Sequence, residues 1–594
     1  MANALLTQNR YGQAPSWSQM GLEFTKDPLH LKHVLALNRD ELEKLLTEGS
    51  DLWKRWMYVR KWITEPQEGV ARGRTVEAQL TLDEVRMFVQ VGQCEETTAD
   101  QVRSTVNIFP TPEPFKHRRR VIKHTKAFNE RFGKESLVGV KLLRAKELVD
   151  TVHDGEYAIT LDFSSWFDQH LLDEGVRPDF CFFAHGKWYR LTRLPMGMRQ
   201  AVDIAQTATE ILISFDCPKG VRVDAYVDNI RFLGNSRAEV IEAAREFIER
   251  CRKVGVTINE VPGDVDALQA ATDLVSSTGE FLGADFDYKL KRVRVGGKTI
   301  AKLRVMRDVF EGKAPGVKTF THRNFLAIFG ILFFDLQITK DFAPNRYYAL
   351  TEYSETARRV QRDPGLLESE YKCSASRQRH ISQWIDEDID NAWRQVFKVP
   401  RPDAADWVLV TDASGWGWGA LLLNTHTGIM TTRYGRWNRQ WTGSKRSAWS
   451  EPEGVAQALI SFFPNGTENS ITVLNDSTTA MGAFAKGRSM KFAVNKALCT
   501  VKDVFPRLNA TFHHIPGVDD IADPLSRGLE MGDMEEATAQ VNAILSRLVM
   551  GIPRRGKEGG GPNKLSNNQN NDELGKSECN REHTSSLDSN ARVL

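Results

Sequence analysis

"DAYVDNIRFLG", Asp224 to Gly234, decides how the first half of this chain folds. Tyr226 and Val227 lead into Asp228 and Asn229, and Ile230, Phe232 and Leu233 follow at once. Such a run reads as a buried strand, yet a carboxylate inside one is costly unless something pairs with it. The remainder of the sequence has to supply that partner.

At 594 residues the chain is too long for one hydrophobic core, so two to four domains are expected. A hydrophobic share of 41% with 26% charged residues describes an ordinary globular composition, and a net charge of +2 leaves only local basicity to inform on partners. Local basicity is present: "FKHRRRVIKHTK" places six Lys or Arg between Lys116 and Lys126, and "KLKRVRVGGK" places five between Lys289 and Lys298. The seven cysteines are scattered without a Cys-x-x-Cys pair, which argues against a zinc ribbon or a disulfide framework. "MANALLTQNRYGQ" has no apolar signal core, and no apolar run reaches the roughly 18 residues of a membrane span. The expectation is an intracellular protein, cytoplasmic or nuclear, with no membrane partner.

Residues 1–104 read as a helical N-terminal extension, with Leu42, Leu45, Leu46, Leu52, Trp53, Trp56 and Val59 at helical spacing. From 105 to 300 strands and helices mix. "SRAEVIEAAREFIERCRKVGV" is an amphipathic helix with Ser236 and Glu239 as a capping box and Ile241, Ala244, Ile248 and Cys251 on one face. Residues 301–400 read as helical around the apolar "NFLAIFGILFF", 401–530 as a new α/β domain, 531–550 as a C-terminal helix, and the Gly-, Asn- and Ser-rich 551–594 as a disordered tail.

Three segments between 105 and 300 share one chemistry. "YAITLDFSSWFD" runs apolar into Asp162, "RLPMGMRQAVDIAQ" is a Pro-Gly turn opening a helix, and "AYVDNI" carries Asp228 at its tip. A strand-borne Asp and a second on a hairpin suit two-metal phosphoryl transfer, since hard divalent ions take carboxylate oxygens and keep positions for water and phosphate. The partner of the buried Asp is then a cation. In this order the segments resemble a reverse transcriptase palm, with "YVDN" where that family has Tyr-x-Asp-Asp. "RVIKHTKAFN" resembles its fingers motif, "VGVTINE" the segment after the palm helix, and "EFLGADFD" the hairpin that grips the primer end.

The resemblance implies roles residue by residue. Asp162 and Asp228 would hold two Mg²⁺ (or Mn²⁺) ions, and Lys116 and Arg120 would clamp the triphosphate of a dNTP. Phe167 would exclude a 2′-hydroxyl so that the product is DNA, and Met196 and Gly197 would floor the nucleotide pocket. Two positions depart from the pattern: Met196 stands where retroviral enzymes often have Gln, and Asn229 replaces the second Asp. The missing charge at Asn229 implies weaker metal affinity with the chemistry retained.

The last domain repeats the logic. "VLVTDAS" ends a strand at Asp412, "SAWSEPEGVAQAL" carries Glu451 and Glu453, "ITVLNDSTTA" ends a strand at Asp476, and "FHHIPGVDDIADPLSR" contains Asp523. Separated acids at strand ends make a second divalent-metal cradle. The order of elements resembles ribonuclease H, and "ADPLSR" resembles the ending of retrotransposon versions of it. That resemblance assigns Asp412, a Glu, Asp476 and Asp523 to two further ions, with His513 or His514 near the site. Of the two glutamates, Glu451 matches the family spacing, whereas Glu453 would serve a capping box behind Ser450.

Taken together, the chain is expected to have an α+β multidomain fold: a right-hand polymerase of fingers, palm (105–300) and thumb (301–400), followed by an α/β ribonuclease H-like domain. It resembles reverse transcriptase/ribonuclease H polyproteins of tyrosine-recombinase retrotransposons (DIRS and VIPER type), with the gypsy type as the other match. The partners this implies are an RNA template, a DNA primer, the RNA/DNA hybrid and dNTPs. With no Asp-Thr/Ser-Gly, zinc-module or recombinase signature in view, element-encoded recombinase or capsid functions would lie on other chains. The competing expectation is a catalytically weak relative that binds RNA/DNA hybrid, motivated by Asn229.

Overall fold

The computed structural model describes residues 27–113, 118–313, 319–339, 342–398, 401–438 and 447–550. Lys116 and the 551–594 tail lie outside them. The fold is α+β and multidomain, with two compact units, one drawn from Ala2–Lys340 and Glu352–Phe397 and the other from Asp341–Thr351 and Lys398–Leu594.

The larger unit contains β1 (Leu29–His30), β2 (Cys94–Thr97), β3 (Asn107–Glu113), β4 (Arg118–His124), β5 (Tyr157–Asp162), β6 (Cys181–Ala184), β7 (Lys187–Leu191), β8 (Val221–Tyr226) and β9 (Asn229–Gly234). These form three small sheets, ordered β1-β4-β3, β2-β7-β6 and β5-β9-β8. The quoted stretch is the hairpin β8–β9, with Tyr226 opposite Asn229 and a two-residue turn of Val227 and Asp228. Period-two alternation does not explain β9, because residues 230 to 234 are all buried. It is the central strand of its sheet, and both its faces are covered. Ile230 and Phe232 join one core with Ile159 and Leu161 of β5 and with Phe247, Ile248 and Cys251 of the helix Arg237–Val254. Each fully buried side chain of this size contributes roughly 1.5–3 kcal/mol, which fixes the tip from behind.

That helix starts at the expected cap, where Ser236 accepts the Glu239 N–H at 3.3 Å, although this is the Ser236 half of the capping box alone. The residues before 105 differ from a purely helical extension. Trp56, Val59 and Trp62 of the helix Asp51–Thr64 are buried in the same core as Ile159, and β1 and β2 each pair with a strand of the following region. Strands of two and four residues are too short to show a period.

Downstream, β10 (Thr278–Phe281), β11 (Ala284–Asp287), β12 (Arg292–Val295) and β13 (Arg394–Gln395) form an antiparallel sheet in that order. The "EFLGADFD" segment is a hairpin whose turn residues, Leu282 and Gly283, both have positive φ. "NFLAIFGILFF" lies in the largely buried helix His322–Thr339.

In the smaller unit, β14 (Trp407–Ala413), β15 (Gly417–Asn424), β16 (Met430–Arg436), β17 (Thr467–Asn475) and β18 (Leu508–His514) form one sheet ordered β16-β15-β14-β17-β18. The first three strands are antiparallel, whereas β17 and β18 run parallel to β14. Alternation along β14 sends Leu409 to a core with Val455 and Leu459 of the helix Ser447–Phe462. Val408 and Val410 go to another, with Val541 and Ile544 of the helix Met534–Met550. Along the chain these elements run strand, strand, strand, helix, strand, then the helices Thr478–Lys486 and Phe492–Thr500, then the last strand. Residues 342–351 pack here: Phe342 stacks on Phe505 at 4.0 Å, and Asn495 Nδ2 donates to the Pro344 carbonyl at 2.9 Å.

Candidate active sites

The larger unit brings Asp162 and the Asp228 tip together through backbone register. Asp162 is the last residue of β5 and lies opposite Asn229, and the Phe163 N–H donates to the Asp228 carbonyl at 2.9 Å. The tip is strained, since Val227 has φ 57°, a region that disfavours β-branched residues. Two side chains of the helix Ala201–Leu212 hold it. Gln206 Oε1 accepts the Val227 N–H at 2.6 Å, and Thr209 Oγ1 donates to the Val227 carbonyl at 2.5 Å. Both follow the Pro-Gly turn, so "LPMGMRQAVDIAQTAT" builds the clamp.

Each aspartate is tethered by an asparagine amide. Asn259 Nδ2 donates to Asp162 Oδ2 at 2.8 Å, and Asn229 Nδ2 donates to Asp228 Oδ1 at 2.9 Å. Glu260 Oε2 also accepts the Asp162 N–H at 2.8 Å. Burial pushes the Asp228 carboxyl upward, opposed by its own backbone N–H, by Asn229 and by the Arg120 charge. Arg120 therefore reaches the site electrostatically from β4, while its guanidinium pairs with Glu113 at 2.9 Å.

Phe167 packs half-buried against the core. Gly197 is a steric requirement, because a Cβ there would stand 2.3 Å from the Lys123 carbonyl oxygen. Asn129 fastens the same turn, donating to the Gly197 carbonyl and accepting the Arg199 N–H, both at 2.8 Å. Met196 is exposed. Lys123, which the sequence reading did not single out, is buried and paired with Asp168 at 2.7 Å.

In the smaller unit, Asp412 sits near the end of β14 and Asp476 just after the parallel neighbour β17, so adjacent strand ends deliver two acids to one place. Glu451 enters from the helix Ser447–Phe462. Asn475 Nδ2 donates to the Thr411 carbonyl at 2.8 Å and to Glu451 Oε2 at 3.3 Å. Gly454 lets that helix approach, since a Cβ would meet the Ala413 side chain at 2.9 Å.

Among the described residues, Asp412, Asp476 and Asp520 each offer one carboxylate oxygen, and these lie within 4.8 Å of one another. Asp520 was not among the sequence candidates. Asp523 is, but its side chain is 47% exposed and its Oδ1 pairs with Arg527 at 2.7 Å. It remains close enough for its charge to push Asp412 and Asp476 upward. Glu451, only 8% exposed, is raised to about 8 by burial first and then by Asp412 and Asp476. Asp520 is raised far above the usual carboxylate range, again by burial and then by Asp412.

The other candidates separate clearly. Glu453 does not cap the helix, which already runs from Ser447 with Ser450 buried inside it; instead Glu453 accepts from Gln457 one turn on at 2.9 Å. The His514 charge lowers Asp476, whereas His513 contacts Thr511 at 3.2 Å. Carboxylate sets of this kind fit hard divalent cations, which take oxygen ligands.

No protein-family model matches the chain. A stretch of 118 residues, 20% of the chain, is 29% identical to the "Retrovirus-related Pol polyprotein from transposon 412" of Drosophila melanogaster. Over that stretch the chain resembles a retroelement Pol polyprotein. The match spans 9% of that protein's own length. Among solved structures, the foamy viral protease-reverse transcriptase with double-stranded DNA is 14% identical, covering 82% of this chain and 84% of that one at a TM-score of 0.45. The same protein with an RNA/DNA hybrid is 13% identical, covering 82% and 65% at a TM-score of 0.42. Among the described residues, no helix is long and apolar enough to cross a membrane.

Proposed function

We propose that this chain is an RNA-directed DNA polymerase with ribonuclease H activity, copying retroelement RNA into DNA and degrading the RNA strand of the hybrid. The observation that carries the reading is the backbone register that pairs Asp162 with Asn229 and joins the Phe163 N–H to the Asp228 carbonyl, which brings Asp162 to the clamped, strained turn that carries Asp228. Retrotransposons of the tyrosine-recombinase class remain the element type we infer, with the gypsy type second.

Asp162 and Asp228 would hold two Mg²⁺ or Mn²⁺ ions at the polymerase centre. Bound there, the ions would supply charge neutralisation for the dNTP phosphates and acidify the primer hydroxyl. The amides of Asn259 and Asn229 hold one oxygen of each carboxylate, which orients the other. Arg120 adds positive potential, the Phe167 ring bars a 2′-hydroxyl, and Met196 with Gly197 forms the floor beneath the base. Lys116 is assigned to the triphosphate from its sequence position alone. At the nuclease centre, Asp412, Glu451, Asp476 and Asp523 would hold the ions, with His514 at the rim. Without metal, Glu451 keeps its proton at neutral pH, as its pKa of about 8 requires.

The test is primer extension on an RNA template, with Mg²⁺ and with Mn²⁺, beside cleavage of labelled RNA in a hybrid. Both activities are expected. No extension with either metal, at protein concentrations that bind the hybrid, would overturn the polymerase reading in favour of the hybrid-binding relative that Asn229 motivates.

A further inference from the structure

The segment Asp519–Asp523 carries three acids, and the fold treats them differently. Asp519 pairs with Arg547 at 3.2 Å, and Asp523 pairs with Arg527 at 2.7 Å. Asp520, between them, meets no Arg or Lys among the described residues, though it is only 7% exposed. Its Oδ1 accepts the Ala522 N–H at 3.0 Å, which closes a local turn, while its Oδ2 is buried and has no hydrogen-bond partner among the described residues. An oxygen of this side chain lies within 4.8 Å of oxygens from Asp412 and Asp476. A buried carboxylate is kept ionised by pairing or by coordinating a metal, and here every neighbouring side chain in the cluster is itself an acid.

We propose that Asp520 is a divalent-cation ligand of the smaller unit's cluster, an addition to the four acids expected from the sequence, with Asp523 and Arg527 forming its outer rim. The inference rests on reading this unit as a metal-dependent nuclease. Geometry supports the division of labour. The turn through Ala522 occupies Oδ1 of Asp520 and leaves its buried Oδ2 without a hydrogen-bond partner among the described residues, whereas the ion pair with Arg527 occupies an oxygen of Asp523. Affinity for a hard cation rises with the number of carboxylates that share it.

Asp520→Asn is the informative variant, because an Asn side chain keeps the oxygen that accepts the Ala522 N–H and replaces only the other oxygen with NH₂, which cannot ligate. Binding is read by titration calorimetry of MnCl₂ into the full chain carrying Asp162→Asn and Asp228→Asn, so that the polymerase centre contributes no heat. Asp520→Asn is expected to lower Mn²⁺ affinity at least about tenfold, the loss typical even of residues that merely support a ligand. Asp523→Asn is expected to lower it less. Metal-free melting should be no lower in Asp520→Asn than in its parent, which a purely structural role would not permit. If Asp520→Asn fails to fold, Asp520→Ser keeps a turn-forming oxygen and replaces it in the same titration. Unchanged Mn²⁺ affinity overturns the proposal, as does a parent that binds no Mn²⁺. Mn²⁺ binding that depends on Asp520 without cleavage of hybrid would instead sink the nuclease reading and leave Asp520 as a ligand.

Discussion

The two carboxylate centres solve one electrostatic problem in opposite ways. In the larger unit, Asp162 and Asp228 are each held by a neutral amide donor, Asn259 and Asn229, so the acids are oriented before any cation arrives. In the smaller unit, one oxygen each of Asp412, Asp476 and Asp520 lies within 4.8 Å of the others, and burial first, then the charge of neighbouring acids with Asp523 among them, raises these three and Glu451. The first centre is organised by hydrogen bonds. The second depends on protons or a cation to relieve its charge.

The comparison can be broken most sharply at the glutamates. Glu451→Gln should reduce cleavage of the hybrid by at least about a hundredfold, as expected when a group stabilising developing charge is lost. Glu453→Gln should leave cleavage within about twofold, since Glu453 accepts a hydrogen bond from Gln457 on its own helix and is not in the close trio of Asp412, Asp476 and Asp520. Equal losses in a cleavage time course would return the ligand role to Glu453.

The amide tether is the next target. Asn259→Ala should slow primer extension about 10–100-fold, the usual range for residues that orient a metal ligand. Hybrid cleavage should be untouched, and the Mg²⁺ concentration for half-maximal extension should rise. A loss of extension with the Mg²⁺ response unchanged would speak against the tether.

pH separates the centres further. Glu451 has a folded-state pKa of about 8 against an ordinary 4.5, so the folded chain binds more protons than the unfolded chain between those values. Stability from this group is full below 4.5 and is lost as pH rises through about 8. In metal-free calorimetric scans, the transition of the smaller unit should fall by a few degrees across that window, and Glu451→Gln should flatten the slope. A slope that Glu451→Gln leaves intact would mean that another group governs it.

The smallest effect is expected at the tip. Asn229→Asp restores a negative charge beside Asp228 but removes the donor that holds its Oδ1. Extension should need less Mg²⁺ by a few-fold. An unchanged Mg²⁺ dependence would refute the account of Asn229 as a weakened metal position.

Much of this was legible in the sequence, for physical reasons. An Asp inside the apolar run of β8 and β9 could only be a turn or a liganded group, and the structure makes it both a hairpin tip and a neighbour of Asp162. The helix face of Ile241, Ala244, Ile248 and Cys251 was readable because 3.6-residue periodicity survives in a half-buried helix, and all four are buried. Asn259 was quoted within a motif, but its task was not, since a single amide donor leaves no periodic trace. Asp520 was hidden by its neighbours: in "GVDDIADPLSR" only tertiary packing determines which acid turns inward and which finds an arginine. The Ser450 cap failed because the helix begins upstream of it, and nothing in "SKRSAWSEPE" marks that earlier start.

The central claim is that two separate carboxylate centres carry two separate reactions. It is tested most directly on one labelled RNA/DNA primer-template by comparing the parent chain with Asp228→Asn and Asp476→Asn. The account predicts that Asp228→Asn cleaves RNA without extending the primer and that Asp476→Asn extends without cleaving. Loss of both reactions in either folded variant, or of neither, would contradict it.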